Sequence, residues 1–319
     1  MPHLRPLGRS GLETPPLVLG GNVFGWTASG EDAFTILDRF VGAGGRMIDT
    51  ADVYSAWVPG HTGGESESLI GEWLRRRGSK GEVLIATKVG MLPGEGGEKL
   101  EPARIVAAAE ASLRRLGVDA IDLYYAHQED PKTPVAESLR AFDRLVRDGK
   151  VRALGASNYA PESLAAALDV SEQEGLARYE VLQPEYHLMN RGGFEGGLQT
   201  LCVERNVGVL PYYGLASGFL TGKYRSAADQ GQSVRGDRMG KYLNARGYAV
   251  LAALDAVAAE TGTNPSTVAL AWLAAQPGIT APIASARTPE QLEDFIGAME
   301  LELSREQVER LDAASRTEI

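Results

Sequence analysis

The chain carries a single cysteine, Cys202, among its 319 residues. One thiol cannot close an internal disulfide, which fits a protein of a reducing compartment. No apolar run approaches the ~18 residues that a membrane-spanning helix needs. The start, Met1-Pro-His-Leu-Arg-Pro-Leu-Gly8, has no apolar signal core. A cytoplasmic protein without membrane contact is therefore expected. Basic residues are outnumbered, 32 Lys and Arg against 42 Asp and Glu, for a net charge of −10. The densest basic stretch, Arg75-Arg-Arg77, reads as the solvated end of a helix, so nucleic-acid binding is not expected. Glycines are plentiful, yet G-x-G-x-x-G is absent throughout, which disfavours a doubly wound nucleotide-binding fold. The nearest thing to a phosphate loop is Gly218-Phe-Leu-Thr-Gly-Lys-Tyr224. Its glycine spacing is one residue short, and Tyr follows the Lys where Ser or Thr belongs.

What the chain does have is an alternation of strand and helix signals in one domain spanning 1–319. The composition, 44% hydrophobic and 23% charged, is ordinary for a globular protein with a large core. A small hairpin is predicted from Leu4 to Thr14, turning at Gly8-Arg-Ser-Gly11. Strands are then predicted at Leu17–Gly20, up to Asp49, Val83–Lys88, Ile121–His127, Val151–Asn158, Tyr179–Gln183, Val207–Tyr212 and Ile279–Ala284. Helical periodicity marks the segments between them. Ser29, Asn264-Pro265, the boxes Thr288-Pro-Glu-Gln291 and Ser304-Arg-Glu-Gln307, and Thr133-Pro134 with proline at the first helical position supply N-terminal signals. A loop of small and polar residues from about Gly222 to Gly247 breaks the rhythm before two extra helices. The leading fold is a (β/α)8 TIM barrel with an N-terminal β-hairpin and additional C-terminal helices.

Three successive strands end on ionisable residues: Asp49, followed in its loop by Tyr54; Lys88; and His127. Taken singly, an Asp at a strand end is more often a helix cap, a Lys a solvated rim residue and a His a backbone partner. Delivered together at the carboxyl ends of neighbouring barrel strands, they form the pattern by which such barrels build active sites. A phenol with a pKa near ~10 donates protons poorly at neutral pH. A nearby ammonium is expected to lower that pKa, and Asp49 to keep the ammonium charged in a buried setting. The set reads as a general acid, Tyr54, that protonates a carbonyl oxygen, with His127 either orienting the carbonyl or sharing the proton relay. A metal-dependent isomerase or hydrolase would also use acids and histidines at strand ends, but a lysine between the would-be ligands repels a cation, so no metal is expected.

The segments Asp49-Thr-Ala-Asp-Val-Tyr54, Thr87-Lys88, Tyr124-Tyr-Ala-His127, Gly155-Ala-Ser-Asn158, Gln183-Pro-Glu-Tyr186, Leu215 to Tyr224, and Ser285-Ala-Arg-Thr-Pro-Glu-Gln-Leu292 occur in this order over nearly the whole chain. In them the sequence resembles the aldo-keto reductase superfamily. The resemblance implies Tyr54 as general acid, tuned by Lys88 and Asp49, His127 orienting the substrate, and hydride from a nicotinamide dinucleotide. NADP(H) is favoured and NAD(H) possible. It implies Ser157, Asn158 and Gln183 on the carboxamide, Tyr212 stacked on the nicotinamide, and Leu215, Ser217 and Lys223 in a pyrophosphate cradle. Ser285, Arg287, Gln291 and Asp294 would serve the adenosine phosphate. Two departures touch that last group: Ser285 stands where many members carry Lys, and Phe295 where many carry Asn. Phe24, Trp26, Trp57 and the Gly222–Gly247 loop would wall the substrate, a small-molecule carbonyl or alcohol. The family also contains dinucleotide-binding regulatory subunits of membrane channels, the alternative to a working reductase.

Overall fold

A computed structural model describes residues 2–78, 83–226, 228–229 and 236–316. The N-terminal hairpin forms from β1 (Arg5–Pro6) and β2 (Glu13–Thr14), antiparallel. Leu7 and Leu12, at its turn, join the side chains that fill the barrel interior, so the hairpin plugs one end of the barrel. The main chain then runs β3 (Val18–Gly20), α1 (Gly30–Gly42), β4 (Met47–Asp49), α2 (Glu65–Arg77), β5 (Leu84–Val89), α3 (Pro102–Leu116), β6 (Ile121–Ala126), α4 (Val135–Arg147), β7 (Val151–Ser157), α5 (Pro161–Glu174), β8 (Tyr179–Gln183), α6 (Gly197–Glu204) and β9 (Gly208–Val209). After a long connection follow α7 (Ala245–Thr261), α8 (Pro265–Ala274), β10 (Ile283–Ala284), α9 (Pro289–Ile296) and α10 (Arg305–Ser315).

The eight strands β3 to β10 pair in parallel, in the order β10-β3-β4-β5-β6-β7-β8-β9. The ring closes because the N–H of Thr280 donates to Val209 O at 2.9 Å and that of Ile283 to Pro211 O at 2.8 Å. This is the expected (β/α)8 barrel. Strands buried on both faces need apolar residues at successive positions, and two cores result. Val18, Met47, Leu84, Ala86, Leu123, Tyr125 and Val181 fill the interior. A larger cluster, with Leu19, Ile48, Ile85 and Tyr124, packs the outer strand faces against the helices.

Several boundaries differ from expectation. The last two strands pair regularly over only two residues each, not over Val207–Tyr212 and Ile279–Ala284. Pro211 and Pro282 interrupt both segments and have no N–H to give the ladder. Pro134 is itself the N-cap of α4, and Thr133 instead donates its hydroxyl to Asp130 at 2.7 Å. Ser29 caps α1 by position without a side-chain bond. Asn264 does cap α8, and Ser304 with Gln307 closes a full capping box on α10. Of the long loop, residues 227 and 230–235 lie outside the described residues, while Gly236–Tyr242 forms a short 3-10 helix.

Candidate active site

The register of the barrel decides which side chains meet. Asp49 pairs with Ala86 across β4 and β5, and Lys88 with Tyr125 across β5 and β6, so the three strand ends open at one level. The loop after β4 folds back over that level. The N–H of Asp52 donates to Lys88 O at 3.2 Å, and that of Gly64 to Tyr54 O at 3.2 Å, which turns Tyr54 over the strand end. The Lys88 ammonium then spends its three N–H bonds on Asp49 Oδ2 at 2.6 Å, Thr50 O at 2.7 Å and the Tyr54 hydroxyl oxygen at 3.0 Å. Asp49 receives a second donor on its other oxygen, Gln183 Nε2 at 2.9 Å. His127, held by its backbone N–H on Val89 O at 2.8 Å, faces Tyr54 with the two rings 6.0 Å apart at 73°.

These contacts fix the charge states. Burial alone would pull the Lys88 ammonium down, but Asp49 and Tyr54 outweigh it and the pKa ends above its ordinary value. Tyr54 goes the other way from expectation. Burial raises its pKa, Lys88 offsets only part of the rise, and the phenol ends above its usual value of 10.0. The phenol therefore keeps its proton at neutral pH. His127 is driven well below 6.5, first by burial and then by Lys88, so its imidazole is neutral. Its Nδ1 has no hydrogen-bond partner among the described residues.

On the side of β7 to β10 the polar groups also converge. Ser157 Oγ donates to Gln183 O at 2.8 Å. Asn158, with φ +57°, donates from Nδ2 to His127 O at 2.9 Å and accepts from the Tyr212 hydroxyl at 2.8 Å. Leu215 is partly buried, and Ala216, Ser217 and Gly218 follow it with φ of +49°, +58° and +102°. A Cβ on Gly218 would lie 3.8 Å from Lys223 Nζ, so the ammonium stands over a turn of small residues. Ser285 Oγ is bound to Asn22 Oδ1 at 2.7 Å. The Arg287 N–H donates to Gln291 Oε1 at 3.0 Å, which takes that side chain away from the Thr288 capping box. Asp294 is exposed on α9, and its carbonyl accepts from Thr267 Oγ1 at 2.8 Å.

The aromatic wall is only partly as expected. Trp57 is 49% exposed, 6.0 Å from the Tyr54 ring and 5.7 Å edge-on from Trp26. Phe24 is fully buried among the residues that pack the outer strand faces. Three residues went unread: Asn22, Met91 and Tyr213. Met91 and Tyr213 are over a third exposed, and Tyr213 packs edge-on against Tyr212 at 5.0 Å. Each follows a strand end by no more than a few residues, the same signal that exposed Asp49 and His127.

The model of the Aldo/keto reductase family matches residues 16–316, which takes in the whole barrel and all of the groups above. The chain belongs to the aldo/keto reductase family. It is 35% identical over 310 residues to an uncharacterized oxidoreductase, YrpG, of Bacillus subtilis, covering 94% of this chain and 92% of that protein. It is 30% identical to the L-glyceraldehyde 3-phosphate reductase of Escherichia coli K12, over 97% of this chain and 91% of that one. A Schizosaccharomyces pombe relative, 30% identical over 97% of this chain and 92% of its own length, is named provisionally as a voltage-gated potassium channel subunit beta. This aldo/keto reductase is an oxidoreductase by kinship. Among its described residues no three His, Cys, Asp or Glu side chains could hold a metal ion, and no helix is long and apolar enough to cross a membrane.

Proposed function

We propose that the chain transfers hydride between NADP(H) and the carbonyl or alcohol carbon of an aldehyde, ketone or sugar, with Tyr54 giving and taking the proton. The observation that carries the reading is the Tyr54–Lys88–Asp49 line: a protonated phenol 3.0 Å from a buried, charged ammonium that is itself anchored at 2.6 Å. A bound nicotinamide supplies hydride to carbon. As a carbonyl oxygen gains negative charge, Tyr54 is placed to protonate it, and the Lys88 ammonium stabilises the phenolate left behind. Neutral His127 donates a hydrogen bond to the same oxygen and fixes the approach of the carbonyl without adding a second full charge.

The residues present fit a dinucleotide. Ser157, Asn158 and Gln183 offer donors and acceptors to a carboxamide, and Tyr212 offers a flat face. The left-handed turn at Ser217 and Gly218 lets the backbone approach an anion, with Lys223 above it. Arg287, on the segment after β10 with Ser285 two residues before it, offers a cation to a 2′-phosphate. Four cofactor-side residues already serve one another through Asn158 and Gln183, which supports a preformed site. Net charge −10 makes such local cations the means of holding an anionic cofactor.

The test is oxidation of NADPH, followed by absorbance, against aromatic and aliphatic aldehydes, ketones and sugars, with Tyr54→Phe beside the wild type. Wild-type turnover that drops about 10³-fold in the variant, with dinucleotide binding retained, supports the reading. A variant that keeps full turnover assigns the proton to another group. The relative named as a channel subunit supports a second reading, a dinucleotide-binding regulatory subunit. Dinucleotide quenching of tryptophan fluorescence without turnover on any carbonyl would favour it.

A further inference from the structure

Behind the site, on the outer face of β4 and β5, lies a buried set of charges that the reaction does not use. Asp52 is 1% exposed, and its Oδ2 accepts from Arg104 Nη2 of α3 at 3.3 Å. Arg104 also donates from Nε to Leu92 O at 3.1 Å and from Nη1 to Glu95 O at 3.2 Å, two carbonyls of the loop after β5. That loop carries Met91 to the mouth. Asp52 sits in the loop that carries Tyr54, and its N–H is the one bound to Lys88 O. Glycines keep the two loops interlocked. A Cβ on Gly63, φ +95°, would lie 2.7 Å from Asp52 O and 2.8 Å from the Leu92 side chain, and one on Gly94 would lie 2.7 Å from Arg104 Nη1. One guanidinium thus ties the loop of Tyr54 to the loop of Met91, which leaves the carboxyl end of the neighbouring strand β5.

We propose that Asp52 and Arg104 form a positioning pair that holds the Tyr54 loop and the Met91 loop in one arrangement around the reacting carbonyl, and that the arrangement tightens when Asp52 is ionised. The proposal rests on the reductase reading above. An ionised carboxylate makes the stronger, charge-assisted bond to a guanidinium, and a protonated one releases it in part. The charged groups facing Asp52 are Arg104 and Arg115 on α3 and Glu67 on α2, with the Tyr124 hydroxyl on β6 beyond. Glu67, itself fully buried, in turn accepts from Thr87, the neighbour of Lys88, at 2.6 Å and from Arg115 at 2.6 Å, which ties β5, α2 and α3 together beside Asp52. Burial first and Glu67 second raise the Asp52 carboxyl to about 7, within the physiological range. Tyr54 and Lys88 are shifted up and His127 down, all three away from neutrality. A rate limb at neutral pH that Asp52→Asn removes is then Asp52's signature.

The experiment is single-turnover oxidation of enzyme-bound NADPH by an aromatic aldehyde, as a function of pH, for wild type, Asp52→Asn and Arg104→Met. Dinucleotide affinity from tryptophan quenching and melting curves run alongside. The wild-type rate should fall about tenfold from pH 8 to pH 6, the scale of loss that a sub-ångström misplacement produces. Asp52→Asn should be flat at the low-pH level, with dinucleotide Kd changed less than about twofold, because the pair lies on the side of the site away from β9 and β10. Arg104→Met should raise the half-saturating aldehyde concentration with the same unchanged Kd. An Asp52→Asn profile like the wild type's overturns the proposal, as does a variant whose rate and dinucleotide affinity fall together. If neither variant folds, the wild-type profile decides: a flat rate between pH 6 and 8 overturns the pair. A wild type that turns over no carbonyl removes the reductase reading itself, a result distinct from a working wild type with an indifferent Asp52→Asn.

Discussion

At the scale of single residues, position on a strand was the legible signal and partnership across the barrel was not. Asp49, Lys88 and His127 could be read because each ends an apolar run, and a buried strand that ends on a charge needs a reason. The bond from Gln183 to Asp49 joins residues 134 apart in sequence and leaves no local trace. Nor could the sequence show that burial would outweigh Lys88 in setting the Tyr54 pKa, since that balance depends on packing. Asp52 shows the same limit in sharper form. Nothing in its place along the chain sets it apart, while the fold puts it among Glu67, Arg104 and Arg115. A pKa raised from 3.8 to about 7 means that the native state binds a proton the unfolded chain has lost. This group's stabilising contribution is full below pH 3.8 and is lost as pH rises through about 7. The loss amounts to roughly 4 kcal/mol at the full shift, an order-of-magnitude figure. We expect urea midpoints of the wild type to decline relative to Asp52→Asn between pH 5 and pH 8. Parallel midpoints across that range would show that Asp52 ionises normally.

At the scale of elements, helix starts and the long central strands were readable because caps, periodicity and apolar runs are local. The short final strands were not, because their pairing depends on where Pro211 and Pro282 fall in the closing register. Helix-to-helix approach was equally hidden. Gly71, in the middle of α2, looks like a weak point, since Gly costs about 1 kcal/mol relative to Ala in a helix interior. Local propensity alone therefore recommends Gly71→Ala. The packing says otherwise, because an added Cβ would lie 2.1 Å from Arg115 O and 2.9 Å from two further backbone atoms of α3. Backbone cannot move aside as a side-chain tip can, and overpacking costs about 1–3 kcal/mol or more. We expect Gly71→Ala to lower stability by about 1–3 kcal/mol in urea unfolding, the clash exceeding the propensity gain. A stabilised variant would mean that α2 and α3 lie farther apart than this.

At the scale of the whole molecule, the barrel sorts its chemistry by strand. The ends of strands β4 to β6 and the loop after β4 bring Asp49, Lys88, His127 and Tyr54, β7 and β8 bring neutral amides and hydroxyls, and the segments after β9 and β10 bring two cations, Lys223 exposed and Arg287 half-buried. The order follows from closure, since the segment 279–284 must bond both to β9 and to β3 for those ends to share a mouth. Alternation along the chain made the architecture legible, whereas cofactor preference stayed open. On the proposed reading, Arg287 would answer only to the adenosine end of the dinucleotide. A molecule of net charge −10 repels polyanions at long range, so an extra phosphate helps binding only if a local cation meets it. Ser285 is already engaged by Asn22 at 2.7 Å, and Lys223 belongs to the turn after Tyr212, so on the proposed reading Arg287 is the group that would meet a 2′-phosphate. Losing a charge-assisted contact of this kind costs about 1.5–3 kcal/mol, or roughly ten- to a hundredfold in affinity. We expect Arg287→Ala to raise KM for NADPH by about that factor and KM for NADH by less than about twofold, with kcat unchanged, since hydride and proton move at the other end of the site. Equal effects on the two cofactors would place the 2′-phosphate elsewhere on the surface. A fall in kcat would tie Arg287 to the closing of the mouth instead.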